Sequence, residues 1–214
     1  MNELDVFLFK SILQAIKNQI NIEKIRGIEQ KLQQERGLKF SDLFNKFDEV
    51  KNSLFEFESE LKKIEDEILR DFLTVEAIDG TSEKWLVIKN RYLTELILKT
   101  FADEDKKTIL DLTRDNAETI PKILVLCDLP NTSGYRKMNH LIEDGFVTPV
   151  GLAETFEGKR AILYRSIIQK IQIIINKNDI ITKILIPNDV VSSSQIVRTI
   201  TEIIQGKANP SFAN

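Results

Sequence analysis

Apolar residues recur at three- and four-residue intervals through the first two thirds of the chain, and the interval shortens to about two only after residue 145. The first segment, LDVFLFKSILQAIKNQI, places Leu4, Phe7, Leu8, Ile12, Ala15 and Ile16 on one face, which predicts an amphipathic helix. A second helix is expected over 22–36, with Ile25, Ile28 and Leu32 inward and Gly37 as its stop. Ser41 is an N-cap candidate for a short helix through Phe44. A longer helix is expected over 47–73, where Val50, Leu54, Phe57, Leu61, Ile64, Ile68, Leu69 and Phe72 share a face. Together these predict a helical bundle over 1–74.

The run VEAIDGTSE loses this period and carries a DG turn signal, so 75–83 reads as a linker between two domains. Beyond it, WLVIKNRYLTELILKTF gives a helix over 89–101, its first residues compatible with strand. Asp103 caps a further helix in DEDKKTILDLTRD, whose first-turn acids suit the helix dipole. ETIPKILVLCDL and TSGYRKMNHLIEDG then read as two short helices joined by about three residues, the spacing of a helix-turn-helix. Asn131 or Thr132 is the expected cap of the second and Gly145 its end.

From Phe146 the alternation favours strands: FVTPVGL, a loop AETFEGK, and RAILYRS returning. A second, more apolar hairpin follows in IIQKIQIII and ITKILIP, with a turn at NKND. The helix SSQIVRTITEIIQ closes the fold after a Ser192 to Ser194 capping cluster, and the tail 207–214 is expected to be flexible. The predicted class is α+β, mostly α: a helical domain over 1–74, and over 84–206 a winged helix-turn-helix domain with an additional C-terminal hairpin and helix.

Within the helix expected at 132–144, a wheel centred on Tyr135 gathers Met138, Leu141 and Ile142 beside it and leaves Ser133, Arg136, Lys137 and His140 opposite. Those polar residues suit a helix lying in a DNA major groove, where N-terminal side chains meet base edges and Arg or Lys reaches guanine or phosphate. Thr132 and Ser133, with the free first-turn amides, suit a phosphate. Gly134 permits either close approach to DNA or close packing on the preceding helix. Lys159 and Arg160 follow the tip of the first hairpin, about 151–160, where a wing would touch backbone or minor groove.

Charge sharpens this picture. Residues 1–80 carry 12 basic and 17 acidic side chains, net −5, and residues 81–214 carry 18 and 16, net +2. An acidic front half suggests a protein partner, and so small a basic excess implies that DNA binding needs two copies. One Cys and one His exclude an intrachain disulfide and a Cys/His metal site within one subunit, so no cofactor or metal is expected. Cys127 reads as a structural thiol. No GxGxxG, P-loop, GxSxG or HExxH is present, and an enzyme is not expected. The longest apolar runs fall short of a bilayer span and the start MNELDVFLFK lacks a secretory pattern, so a cytoplasmic protein is expected.

From about Lys122 to Arg165 the chain resembles archaeal winged helix-turn-helix transcriptional regulators of the ArsR-like type. The resemblance is carried by LPNTSGYRKMNHLIEDGFV and ETFEGKRAILYRS, with Pro130, Thr132, Ser133, Tyr135, Arg136, Leu141, Gly145, Gly158, Lys159, Arg160 and Tyr164 matching. It implies sequence-specific binding of double-stranded DNA as a homodimer, without the Cys or His ligands of metal-sensing relatives. The first 73 residues are similar to a small archaeal helical signalling or output domain through EKIRGIEQKLQQERGLKFSDL. A protein-interaction module in a transcription or signalling assembly is the competing expectation. The dimer interface is expected either on the final helix, through Ile196, Val197, Ile200 and Ile203, or on the helix near Tyr92.

Overall fold

The computed structural model describes residues 2–19, 26, 30, 33–34, 37, 69–78, 83–154, 158, 160–177 and 179–205; the side chains of residues 10 and 13–19 are outside that description. Among these residues the fold is α+β, with seven helices and two antiparallel sheets. No helix among them is long and apolar enough to cross a membrane. The helix expected over 22–36 is seen at Arg26, Gln30, Gln33 and Gln34, all helical and exposed, and Gly37 donates its N–H to the Gln33 carbonyl at 3.1 Å. The helices expected at 41–44 and over most of 47–73, and the tail 207–214, lie outside the described residues.

Helix α1 (Glu3–Gln19) presents Leu4, Phe7, Leu8 and Ile12, all buried. Strands β1 (Leu73–Ala77) and β2 (Lys84–Ile88) follow, paired from Leu73↔Ile88 to Ala77↔Lys84. Residues 75–77, expected within a linker over 75–83, are thus part of β1. The physical reason is local: Val75, Trp85 and Val87 stand in two short runs of β-formers on either side of residues 78–83. Helix α2 (Arg91–Ala102) is capped by Asn90, which accepts from the Leu93 N–H at 2.9 Å. Helix α3 (Glu104–Asp115) is capped by Asp103, which accepts from the N–H groups of Asp105 and Lys106.

Next come β3 (Glu118–Thr119), α4 (Ile120–Leu126), α5 (Asn131–Glu143), β4 (Val147–Glu154) and β5 (Arg160–Ser166). Glu118 and Thr119, read from sequence as the start of a helix, instead pair with Tyr164 and Leu163, giving a three-stranded sheet of order β3-β5-β4. Pro121 explains where that helix begins, since proline is tolerated in a first turn and not further in. Strands β6 (Lys170–Ile175) and β7 (Ile180–Ile186) continue the chain. They complete the first sheet in the order β1-β2-β7-β6. The second hairpin is thus half of a sheet begun about a hundred residues earlier in the chain. Helix α6 (Asn188–Ser193), which the periodicity did not indicate, precedes α7 (Gln195–Ile204), and Ser194 caps α7 by accepting from the Val197 N–H.

One continuous core joins α1 to the C-terminal half. The Asp5 carboxylate, buried within α1, sits at the start of α7 and accepts from the Ser194 hydroxyl and from the N–H groups of Gln195 and Ile196 at 3.2 and 3.1 Å. An acid at a helix N-terminus meets unpaired donors and the positive end of the dipole. The Phe7 ring stands edge-on to Phe146, centroids 5.1 Å apart. Among the described residues, the apolar face of α1, expected in a bundle over 1–74, packs on α2, α6, α7 and the exit of α5.

Candidate functional site

Helices α4 and α5 are joined by the four residues Cys127–Pro130. The chain reverses there through Asp128, at φ 51°, while the Leu129 N–H closes onto the Leu124 carbonyl at 2.9 Å. Asp is among the few residues that enter the left-handed region at modest cost. Helix α5 then begins directly after Pro130, so Asn131 and Thr132 are its first two residues rather than its cap; no side-chain cap bond is present. It ends the same way as α4, with the Phe146 N–H on the Leu141 carbonyl at 2.9 Å and Gly145 at φ 77°. A Cβ on Gly145 would lie 2.9 Å from the Phe7 Cα, so α1 closes over this turn as well.

The rotation of α5 differs from the sequence expectation by about half a residue step, roughly 50°. Gly134, Met138 and Leu141 are buried, whereas Tyr135, the expected centre of the inward face, is 41% exposed. Gly134 supplies the reason. A Cβ there would lie 2.5 Å from Leu124 Cδ2, so Leu124 of α4 rides over the bare glycine and draws that side of α5 inward. Of the two roles open for Gly134, close packing on the preceding helix is the one observed.

This rotation separates two adjacent cations. Lys137 turns toward the start of α3, where its ammonium donates to Asp103 Oδ1 and Oδ2 at 2.6 and 2.9 Å and lies 2.8 Å from Asp105 Oδ2. Its side chain is only 18% exposed. The hydrogen bonds to Asp103 and then Asp105 outweigh the opposing push of burial and raise the Lys137 pKa above its ordinary value. Burial pushes the Asp103 carboxyl up, but the bond from Lys137, the Lys106 N–H and their charges outweigh it, and its pKa is lowered. The expectation that Lys137 faces outward as a free cation is corrected: it clamps α5 to α3. Arg136, one residue earlier, is exposed and has no ion-pair partner among the described residues.

The remaining expected residues divide similarly. Thr132 and His140 are exposed and, with Arg136, form a row at intervals of four along α5. Ser133 is half-buried and its hydroxyl donates to the Pro130 carbonyl at 3.3 Å, a local bond that occupies its proton. Arg160 is exposed and directly opposite Glu154, at the last described pair of the β4–β5 hairpin. Lys159 lies outside the described residues. Missed from sequence were Tyr135 and Asn139, which lie exposed beside Arg136 and His140; Gly134, the one side-chain-free position of the helix, was the signal for the true inward face.

The outward face is thus Thr132, Tyr135, Arg136, Asn139 and His140, with the exposed Glu143 at its C-terminal end. It offers hydroxyl, guanidinium, carboxamide and imidazole groups that can bond to base edges or phosphates. Cys127, half-buried, has its pKa raised by burial first and then by the charge of Asp105, which keeps it a thiol and a poor nucleophile at neutral pH. No group of three or more His, Cys, Asp or Glu side chains among the described residues could hold a metal ion. Comparison with protein-family models, with curated proteins and with solved structures found no match.

Proposed function

We propose that the chain is a sequence-specific DNA-binding transcriptional regulator of winged helix-turn-helix type, acting as a dimer, with α5 entering the major groove. The observation that carries this reading is the outward row of α5: a 13-residue helix, anchored along its other side, with Thr132, Arg136, Asn139 and His140 exposed. Arginine pairs bidentately with guanine O6/N7 and asparagine with adenine N6/N7, each such pair discriminating by roughly 1–3 kcal/mol. The element order also supports the reading, since α3, β3, α4 and α5 are followed within three residues by the β4–β5 hairpin, and β3 pairs with β5 in one sheet. In the proposed complex that hairpin is the wing, with Arg160 on backbone or minor groove. With Lys137 internally neutralised, phosphate contacts per copy are few, and two copies on two half-sites supply the affinity that one lacks.

A second reading, a protein-interaction module, is favoured by one observation. Leu152 and Ile162 form a direct cross-strand pair on the β4–β5 hairpin and both are exposed, an apolar surface where a DNA-contacting hairpin is usually charged. The two readings part in a selection from a random duplex library at about 100 mM salt. The regulator reading predicts enrichment of an inverted repeat with half-sites about 10 base pairs apart or a multiple of that. Retention of all sequences alike, or of none, contradicts it.

A further inference from the structure

We propose that the free edge of β6 is the surface through which two copies of this chain pair, as antiparallel strands related by a two-fold axis. This rests on the regulator reading for its purpose, and on the following geometry for its place.

Strand β6 is an edge of the four-stranded sheet and, among the described residues, pairs only with β7. Its other side therefore presents a row of backbone N–H and C=O groups, and what fits such a row is another extended strand. The opposite edge, β1, is managed differently. It carries Glu76, bound to Lys183 at 2.6 Å, and α7 packs against it. None of the usual edge protections is found within β6: KIQIII has no proline, its pairing with β7 runs without a bulge, and its one charge, Lys170, stands at the very start.

The side chains agree with the backbone. Ile171, Ile173 and Ile175 share a face by the period of two, and Ile175 is directly opposite Ile180. Ile173, Ile175 and Ile180 are 36%, 75% and 41% exposed, an apolar strip at the end of the hairpin. Of the two surfaces expected from sequence to form a dimer, that of α7 is spent internally, with Ile196, Val197, Ile200 and Ile203 buried, whereas α2 buries Leu93 and Ile97 and leaves Tyr92 39% exposed as a single aromatic.

A second copy is the occupant because β6 complements itself. A two-fold axis normal to the sheet must pass through a residue, or the inner face of one strand would meet the outer face of the other. Placed at Ile173, it sets Ile173 against its equivalent, Ile171 against Ile175 of the second copy, and Lys170 against Asn176. No like charges oppose one another, and Ile171, Ile173 and Ile175 each gain an apolar neighbour. A six-residue edge with a short apolar strip falls below the roughly 800 Å² per partner of a standard interface, so free pairing is weak and in the micromolar range. Two adjacent half-sites raise the effective concentration to about the millimolar level and complete the dimer on DNA.

Sedimentation equilibrium of the full chain over about 1–200 µM tests the proposal, the range following from the interface size. The wild type is expected to pass from monomer to dimer. Ile175→Lys, at the most exposed position, and Ile173→Lys, which opposes two ammonium groups across the axis, are expected to remain monomeric with an unchanged circular-dichroism melt for Ile175→Lys. On DNA, Ile175→Lys should bind a single half-site as the wild type does and a paired site at least tenfold more weakly. A dimer that forms equally in both variants, or a wild type that stays monomeric throughout, overturns the proposal. If neither protein binds any duplex, the regulator reading fails while the sedimentation result still decides the pairing surface.

Discussion

The two sides of α5 carry neighbouring cations with different fates. On the side facing α3, Lys137 is held by two carboxylates at 2.6–2.9 Å. On the outward side, Arg136 stands exposed with Thr132, Asn139 and His140. Composition treats the two residues as equivalent, yet one positions the helix and the other is available to a ligand. The difference lies in what the adjoining element supplies. The cap of α3 brings Asp103 and Asp105 to Lys137, whereas no described carboxylate reaches Arg136. A basic pair on a helix is thus evidence for an anion partner only after its internal partners have been subtracted.

Disturbing the anchored side should have the largest effect. Gly145→Ala introduces a Cβ at φ 77°, 2.9 Å from the backbone of Phe7. Left-handed strain of about 1–2 kcal/mol and overpacking of about 1–3 kcal/mol predict a combined loss of roughly 2–5 kcal/mol in urea unfolding. A loss below about 0.5 kcal/mol would mean that α1 does not close on this turn.

Lys137→Met comes next. Removal of a partly exposed clamp is expected to cost about 1 kcal/mol, because charged hydrogen bonds are worth somewhat more than neutral ones and solvent screens them. The Asp103 pKa is lowered from 3.8, so its contribution is present above that pH and lost as pH falls through the depressed folded value. For Lys137, raised from 10.5, the contribution is present below that pH and lost as pH rises through the folded value. The difference in stability between wild type and Lys137→Met should therefore be level between these limits and shrink beyond both. Should it not vary with pH, the clamp contributes nothing.

Much of this arrangement is legible in the sequence, for identifiable reasons. Asp103, Ser194 and Gly145 mark helix ends because capping is local chemistry, decided within about four residues. The β4–β5 and β6–β7 hairpins follow from alternation and turn residues, also local. The rotation of α5 did not follow, because it depends on Leu124 lying over Gly134, a contact between helices that a wheel counting Tyr135 as apolar does not contain. Nor did the pairing of β2 with β7, from Lys84↔Ile186 to Ile88↔Thr182, since short apolar runs such as KWLVI carry no record of a distant partner. Thr132, Arg136 and His140 are exposed as expected, whereas the Lys137 clamp was hidden because Asp103 and Asp105 belong to another helix.

Arg136→Ala should change stability least, within about 0.5 kcal/mol, and DNA binding most clearly. The decisive measurement is the affinity of the selected duplex for wild type, Arg136→Ala and Lys137→Met across a salt series. Loss of Arg136 is expected to weaken binding at least tenfold at about 100 mM salt, in keeping with a base or phosphate contact of about 1–3 kcal/mol. Loss of Lys137 should leave the slope of log affinity against log salt unchanged, because its charge is already neutralised within the chain. Unaltered affinity in Arg136→Ala, or a slope reduced by about 0.9 in Lys137→Met, would contradict the assignment of the two sides of α5.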